Sequence, residues 1–329
     1  MLILKIIHSL ILSIFKTLSL AFLAVFFTFN MAISTQANDK VKIILDWYIN
    51  PNHGPIIIAQ EKGFFADEGL EVDIITPADP SDPPKLVAAG EADLAISYQA
   101  QLHMQRREGL ALTRVGTLIA TPLNCLLTRK QDGFTSLAGL KGKKIGYSVA
   151  GVDEMLIRAM LAPHNLSLED VHLVNVNWSL SPALMSGQVD AVIGAYRNFE
   201  LTQMRLEGVE GKCFFIEEEG VPIHDELIYV AHETKMDKAI LQRFMKAVEK
   251  ATAFMVNHPE ASWQIFAATA SELQDELNET AWFLTLPRFA LRPMAFDKER
   301  YQHFDDFLKQ SKMVEGDIDI NAMVIDISQ

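Results

Sequence analysis

The residue types that carry most enzyme chemistry are few in this chain and poorly spaced for it. His103, His172, His224 and His232 fall into no metal-ligand spacing with carboxylates. Two cysteines make neither a disulfide framework nor a Cys-only zinc site. There is no Gly-x-Ser-x-Gly elbow, no phosphate loop and no dinucleotide fingerprint. Glu217-Glu218-Glu219 reads as a solvated acidic turn rather than a cation site. No catalytic residue, metal site or cofactor is expected. The 329 residues include 29 Lys or Arg against 42 Asp or Glu, a formal charge of −13. Phosphate contacts need clustered basic side chains, so no nucleic-acid partner is expected. Recognition of something small remains, and the residues to inspect are those in the loops that follow strands.

The elements must position those loops. Lys5 and Lys16 precede an apolar run from Leu18 to Phe29, and Ser34-Thr35-Gln36-Ala37 follows. A basic start, an apolar segment and a small-residue site form a secretory signal pattern, with cleavage expected after Ala37. The other reading is an uncleaved anchor, since Ile6 to Phe29 approaches membrane-spanning length. Export would permit Cys125 and Cys213 to pair. They are read here as two separate buried thiols, which behave as small hydrophobes.

Beyond the signal, strands and helices alternate. Val41–Leu45, Leu70–Ile75 and Leu94–Ile96 read as strands, with helices from Pro55 to Lys62 and from Lys85 to Ala89 between them. The pattern restarts with strands at Lys143–Tyr147 and Val171–Val176 around a helix from Glu154 to Leu161. Gly90-Glu91-Ala92-Asp93-Leu94-Ala95-Ile96 matches Gly187-Gln188-Val189-Asp190-Ala191-Val192-Ile193 at Gly, Asp and Ile, which suggests two similar lobes. Short strand–helix–strand links imply α/β lobes, each a doubly wound, mostly parallel sheet. Leu241, Phe244, Val248, Ala251 and Met255 form a helical core stripe. Trp263, Phe266, Trp282, Phe283 and Phe289 are also expected in the core. Open sheets of this kind take ligands beyond the carboxyl ends of their strands, here in the cleft between lobes.

Those loops carry a resemblance. Ala59-Gln60-Glu61-Lys62-Gly63-Phe64-Phe65-Ala66-Asp67-Glu68-Gly69-Leu70-Glu71-Val72 resembles a hallmark of the periplasmic substrate-binding proteins of ABC importers. Asp46-Trp47-Tyr48-Ile49-Asn50-Pro51-Asn52-His53 and Tyr196-Arg197-Asn198-Phe199-Glu200 narrow it. With Pro80-Ser81-Asp82 and Gly139 to Tyr147, the chain resembles, over residues 40 to 260, the family joining bacterial formylaminopyrimidine-binding proteins to eukaryotic thiamine pyrimidine synthases. Three synthase features are missing. The synthases' cofactor lysine and reacting histidine fall on Ser97 and Gln101, their glycine-rich phosphate loop on Ser148 to Glu154 with two acids, and their cysteine cluster on the Cys-free stretch Gly220 to Glu226.

The resemblance implies the type II periplasmic-binding-protein fold. Residues 38–122 with 229–329 would form one lobe and residues 123–228 the other, after a signal peptide over 1–37. It implies a monomeric, periplasmic, non-enzymatic carrier of an aminopyrimidine ligand, handed to the membrane permease of an ABC importer and feeding thiamine biosynthesis. The alternatives are a synthase-like enzyme and a binder of another heteroaromatic or a sulfonate. A flat aminopyrimidine needs aromatic faces and fixed donors and acceptors. Trp47 is the expected stacking ring; Asn52, His53, Tyr98, Tyr196 and Asn198 are expected as polar contacts. Glu200 would accept from the exocyclic amine and a protonated ring nitrogen. Asp153 and Glu154 rank lower, since acids favour helix N-termini anyway. Asp225 and Glu226 are read as hinge residues or rim acids.

Overall fold

The computed structural model describes Ile3, residues 38–325 and Ile327. The export segment therefore lies, apart from Ile3, outside the described residues. Among the described residues no helix is long and apolar enough to cross a membrane.

Among the described residues ten strands follow one another: β1 (Asp39–Ile44), β2 (Leu70–Ile75), β3 (Leu94–Ser97), β4 (Leu112–Ile119), β5 (Asn124–Arg129), β6 (Lys144–Tyr147), β7 (His172–Asn175), β8 (Ala191–Tyr196), β9 (Gly211–Phe215) and β10 (Leu227–His232). They make two five-stranded sheets, β2-β1-β3-β10-β4 and β7-β6-β8-β5-β9. In the first, β1 lies parallel to β2 and β3, and β10 antiparallel to β3 and β4. The second repeats this order and sense, with β6 parallel to β7 and β8, and β5 antiparallel to β8 and β9. Each sheet is therefore mixed, where the sequence suggested a mostly parallel one. The strand that follows each crossing between sheets, β5 or β10, enters antiparallel.

Among the described residues from 38 onward, eleven helices cover the faces: α1 (Gly54–Glu61), α2 (Phe64–Asp67), α3 (Pro83–Ala89), α4 (Gln99–Arg107), α5 (Val152–Leu161), α6 (Leu180–Met185), α7 (Glu200–Leu206), α8 (Lys238–Asn257), α9 (Pro259–Ala267), α10 (Glu276–Thr285) and α11 (Lys298–Gln310). Their starts are written locally. Pro55 stands in the first turn of α1, where its missing N–H costs nothing. The Asp237, Asp275 and Asp297 side chains cap α8, α10 and α11 by accepting first-turn N–H groups. The apolar stripe of α8 is buried against the first sheet, together with Trp263, Phe266, Trp282 and Phe289. Phe283 is the exception at 39% exposed, because on α10 it points away from its buried neighbour Trp282. The last helix, α11, spans both halves. Tyr301 belongs to an apolar cluster of the first sheet, while Phe304 and Leu308 belong to one of the second.

The internal repeat has a structural cause. Gly90 (φ 84°) and Gly187 (φ 78°) take the left-handed conformation just after α3 and α6. Asp93 and Asp190 then open the loops into β3 and β8. Each accepts the backbone N–H of a lysine in the neighbouring strand, Lys42 or Lys144, at 2.8 Å. Each returns its own N–H to that lysine's carbonyl, at 3.0 and 2.9 Å. One side chain thus sets strand register at the same place in both sheets.

Two expectations are corrected. Cys125 and Cys213 are not separate thiols but a disulfide, since β5 and β9 are antiparallel neighbours and bring their Cα atoms to 5.5 Å. The acidic run is not simply solvated: Glu217 accepts two hydrogen bonds from Arg197, at 2.7 and 2.8 Å, and Glu219 hydrogen-bonds His164 at 2.8 Å.

Candidate ligand cleft

A cleft lies between the carboxyl ends of the two sheets. The loop after β1 supplies Asp46, Trp47, Asn50 and Asn52 to its lining, and the end of β3 supplies Tyr98. From the second sheet come Ser148, Val149 and Asp153 after β6, and Tyr196, Phe199 and Glu200 at the end of β8. His224 and Glu226 stand where the chain crosses back. Among the described residues the lining holds four carboxylates, Asp46, Asp153, Glu200 and Glu226, and no Lys or Arg.

Each acid is held by hydrogen bonds. The Asn50 side chain accepts the Asn52 N–H at 2.9 Å and starts a tight turn over Pro51–His53. In that turn His53 Nδ1 accepts the Asn50 N–H, so its Nε2–H donates to Asp46 Oδ1 at 2.9 Å. The Tyr98 hydroxyl donates to the other Asp46 oxygen at 3.2 Å. Asp153 accepts the N–H groups of Ser148 and Val149, at 3.0 and 2.8 Å, and burial pushes its carboxyl up to about 7. Glu226 accepts from Leu123 and Asn124, at 2.6 and 3.0 Å, which ties the two crossings together. Glu200 opens α7 at 7% exposed and accepts the Tyr196 N–H at 2.7 Å. Burial pushes it, too, up to about 7. The Tyr196 hydroxyl, in a residue 9% exposed, has no hydrogen-bond partner among the described residues.

Of the residues singled out from sequence, Trp47, Asn52, Tyr98, Tyr196 and Glu200 come together on this cleft. His53 and Asn198 do not line it. His53 is fully buried behind Asp46. Asn198 Nδ2 donates instead to Asn52 Oδ1 at 2.8 Å and to Thr285 Oγ1 at 2.6 Å, a bond that spans the cleft's edge. Trp47 packs on Trp178, with ring centroids 4.3 Å apart, and Tyr48 on Phe199 at 6.1 Å. Asp153 and Glu226, ranked low or read as rim acids, are buried cleft residues. Asp225 does not line the cleft; it accepts from Thr117 and Arg300 at 2.7 Å each. Trp178 was not singled out, although the rule of looking after each strand reaches it, three residues beyond β7 in the turn that follows.

The family described as "NMT1/THI5 like" matches residues 50–262. The chain belongs to that family. Its relatives in the NMT1/THI5-like family include a Haemophilus influenzae protein named for thiamine biosynthesis, 49% identical over 298 residues, covering 90% of this chain and 95% of that one. The formylaminopyrimidine-binding protein of Halalkalibacterium halodurans is 34% identical over 270 residues, covering 80% of each. A Legionella pneumophila protein named 4-amino-5-hydroxymethyl-2-methylpyrimidine phosphate synthase is 24% identical over 297 residues, covering 88% and 92%. Among solved structures, the periplasmic aliphatic sulphonate binding protein of Escherichia coli superposes with a TM-score of 0.66 at 15% identity, covering 87% of this chain and 92% of that one. The two-lobed binding-protein fold is thereby shared with this family member.

Proposed function

We propose that this chain is the substrate-binding component of an ABC importer for a thiamine pyrimidine precursor of the formylaminopyrimidine class. Exported by its N-terminal signal, it works in the periplasm, closes on the ligand and hands it to a membrane permease. Residues 38–122 with 229–329 form one lobe in this reading and 123–228 the other. The observation that carries it is Glu200, buried at the cleft beside the unpartnered Tyr196 hydroxyl. A carboxylate facing an amine and a ring nitrogen forms a paired, charge-assisted contact that few other small heteroaromatics can return. Trp47 offers the stacking face, backed by Trp178. The Cys125–Cys213 disulfide suits an oxidising compartment. An acid-lined cleft without Lys or Arg is a poor host for a sulfonate.

The synthase reading fares worse on the same ground. Ser97 Oγ donates to Gln101 Oε1 at 3.0 Å, and both are buried. The two positions are thus a satisfied neutral pair with no amine to hold pyridoxal phosphate. The carboxylate-lined cleft offers its phosphate no cation either. The residues present do not fit that cofactor. Mass spectrometry of ligand co-purified from the periplasm, with a thermal-shift screen over pyrimidines, tests the proposal. An aminopyrimidine should appear and raise the melting temperature. A sulfonate in the cleft, or indifference to every pyrimidine, would overturn it.

A further inference from the structure

Three of the four cleft acids gather at one end. Asp46, Asp153 and Glu226 arrive from separate loops, after β1, in the first turn of α5 and just before β10. All three bear electrostatically on the Tyr98 hydroxyl, which burial and then these acids hold far above the ordinary phenol range. Glu200 stands toward the other end, where it bears on Tyr48. The Tyr196 hydroxyl feels Glu226, Asp46 and Glu200, and so lies between the two ends. It is buried, unpartnered and on the cleft lining, so the ligand must supply its partner.

The protein answers these acids with dipoles rather than charges. Asp153 and Glu226 each rest one oxygen on two backbone N–H groups, which leaves the second oxygen of each for another donor. Asp46 uses His53 and Tyr98. Among the described residues no guanidinium or ammonium lines the cleft. Buried carboxylates are costly unless a cation faces them, and in a binding protein the cation can come with the ligand. The sulphonate-binding neighbour shows that this fold also serves an anion. The sign of the lining is therefore a property of this chain's own loops.

Resting on the aminopyrimidine reading, we propose that the acidic end of the cleft takes a cationic arm. The preferred ligand is then an aminopyrimidine bearing a primary alkylammonium group, ahead of the same ring with a neutral hydroxymethyl or formylaminomethyl arm, and its phosphate ester is excluded. Asp46, Asp153 and Glu226 receive the arm, while Glu200 keeps the ring's amine edge.

Titration calorimetry on the purified protein at pH 7.5, with four pyrimidines that differ only in the arm, tests this. The aminomethyl compound should bind about tenfold or more tighter than either neutral one. The phosphate ester should bind about a hundredfold weaker than the hydroxymethyl compound. Glu226→Gln and Asp153→Asn should each shrink the aminomethyl-to-hydroxymethyl preference by about fivefold or more. The four-ligand ranking is read on the unaltered protein, so a variant that fails to fold does not spoil it. A neutral arm that binds as well as the ammonium, or a phosphate ester that binds like the hydroxymethyl compound, overturns the charge rule and leaves the pyrimidine reading standing. Failure of all four ligands overturns the pyrimidine reading, and this inference with it.

Discussion

The two sheets are joined to their helices by the same junction and then diverge in chemistry. Gly90 with Asp93 and Gly187 with Asp190 end a helix and bracket a lysine's backbone in the next strand, with nearly equal distances. Past the strand tips each places a tyrosine on the cleft, Tyr98 or Tyr196, but the acids are held differently. In the first lobe the cleft acid is Asp46, both of whose oxygens are occupied, by His53 and Tyr98. In the second, Glu200 stands beside Asp153 on the lining; it is held by the Tyr196 N–H and pushed up to about 7 by burial. The first acid already has a side-chain partner on each oxygen; the second has more bonding capacity left for a ligand. The halves also differ in how they are held together, since the chain's two cysteines both lie in the second sheet and are bonded.

That last difference predicts the largest effect. The disulfide spans 88 residues of sequence, and a loop of that length stabilises the fold by about 4.6 kcal/mol in the chain-entropy model, of which strain and residual unfolded structure leave less. Cys125→Ser with Cys213→Ser should therefore lower chemical stability by about 2–4 kcal/mol in a denaturant titration, with the loss concentrated in hydrogen exchange of β5–β9. Uniform loss of protection over both sheets would erase the contrast. Glu200→Gln comes next. Charge-assisted bonds contribute on the order of 1.5–3 kcal/mol, so aminopyrimidine binding should weaken about tenfold or more by calorimetry. Equal affinities would remove the distinction between the two acids.

Trp47→Ala should cost about 1–3 kcal/mol of binding through lost stacking and apolar burial, with little change in melting temperature. A large melting-temperature loss at unchanged affinity would make the Trp47–Trp178 contact structural. Acidity offers a fourth handle. Asp153 and Glu200 both titrate near 7 in the fold, above ordinary values of 3.8 and 4.5. The unfolded chain ionises them first as pH rises, so their contribution is full below about pH 4 and is lost as pH climbs through 7. The ligand-free protein should melt roughly 5 °C lower at pH 8 than at pH 5, and less so in the Asp153→Asn, Glu200→Gln double variant. The smallest effect belongs to Asn198→Ala. Losing its bonds to Asn52 and Thr285 should weaken binding by about 1 kcal/mol, through faster dissociation at unchanged association.

Much of this was legible in the sequence, and the gaps have physical reasons. β1, β2, β3, β6 and β8 announce themselves by short apolar runs between turn signals. β4 and β10 do not, because they are buried on both faces and lack alternation. β4 even carries Arg114, buried because Thr117 and the Pro293 and Ala295 carbonyls accept from it. At the site, Trp47, Tyr98, Tyr196 and Glu200 were found because they follow strands. His53 was misplaced by one step of contact, since a tight turn turns its ring behind Asp46 rather than into the cleft. Asp153 was discounted because a helix N-terminus already explains an acid, yet that explanation does not exclude a second role. Glu226 is local to nothing in sequence; only the double crossing of the chain brings it to Leu123 and Asn124.

The placement of β10 has a consequence for how the molecule is made. It is inserted between β3 and β4, so the first sheet stays in two pieces until residues 227–232 exist. The second sheet, β5–β9, is one uninterrupted stretch of chain. Sequence-distant pairings form slowly because the loop between them must close first. The later half of the molecule should thus become native before the earlier one, and in refolding the N-terminal strands should wait, unpaired along one edge, for a strand that arrives more than a hundred residues after them.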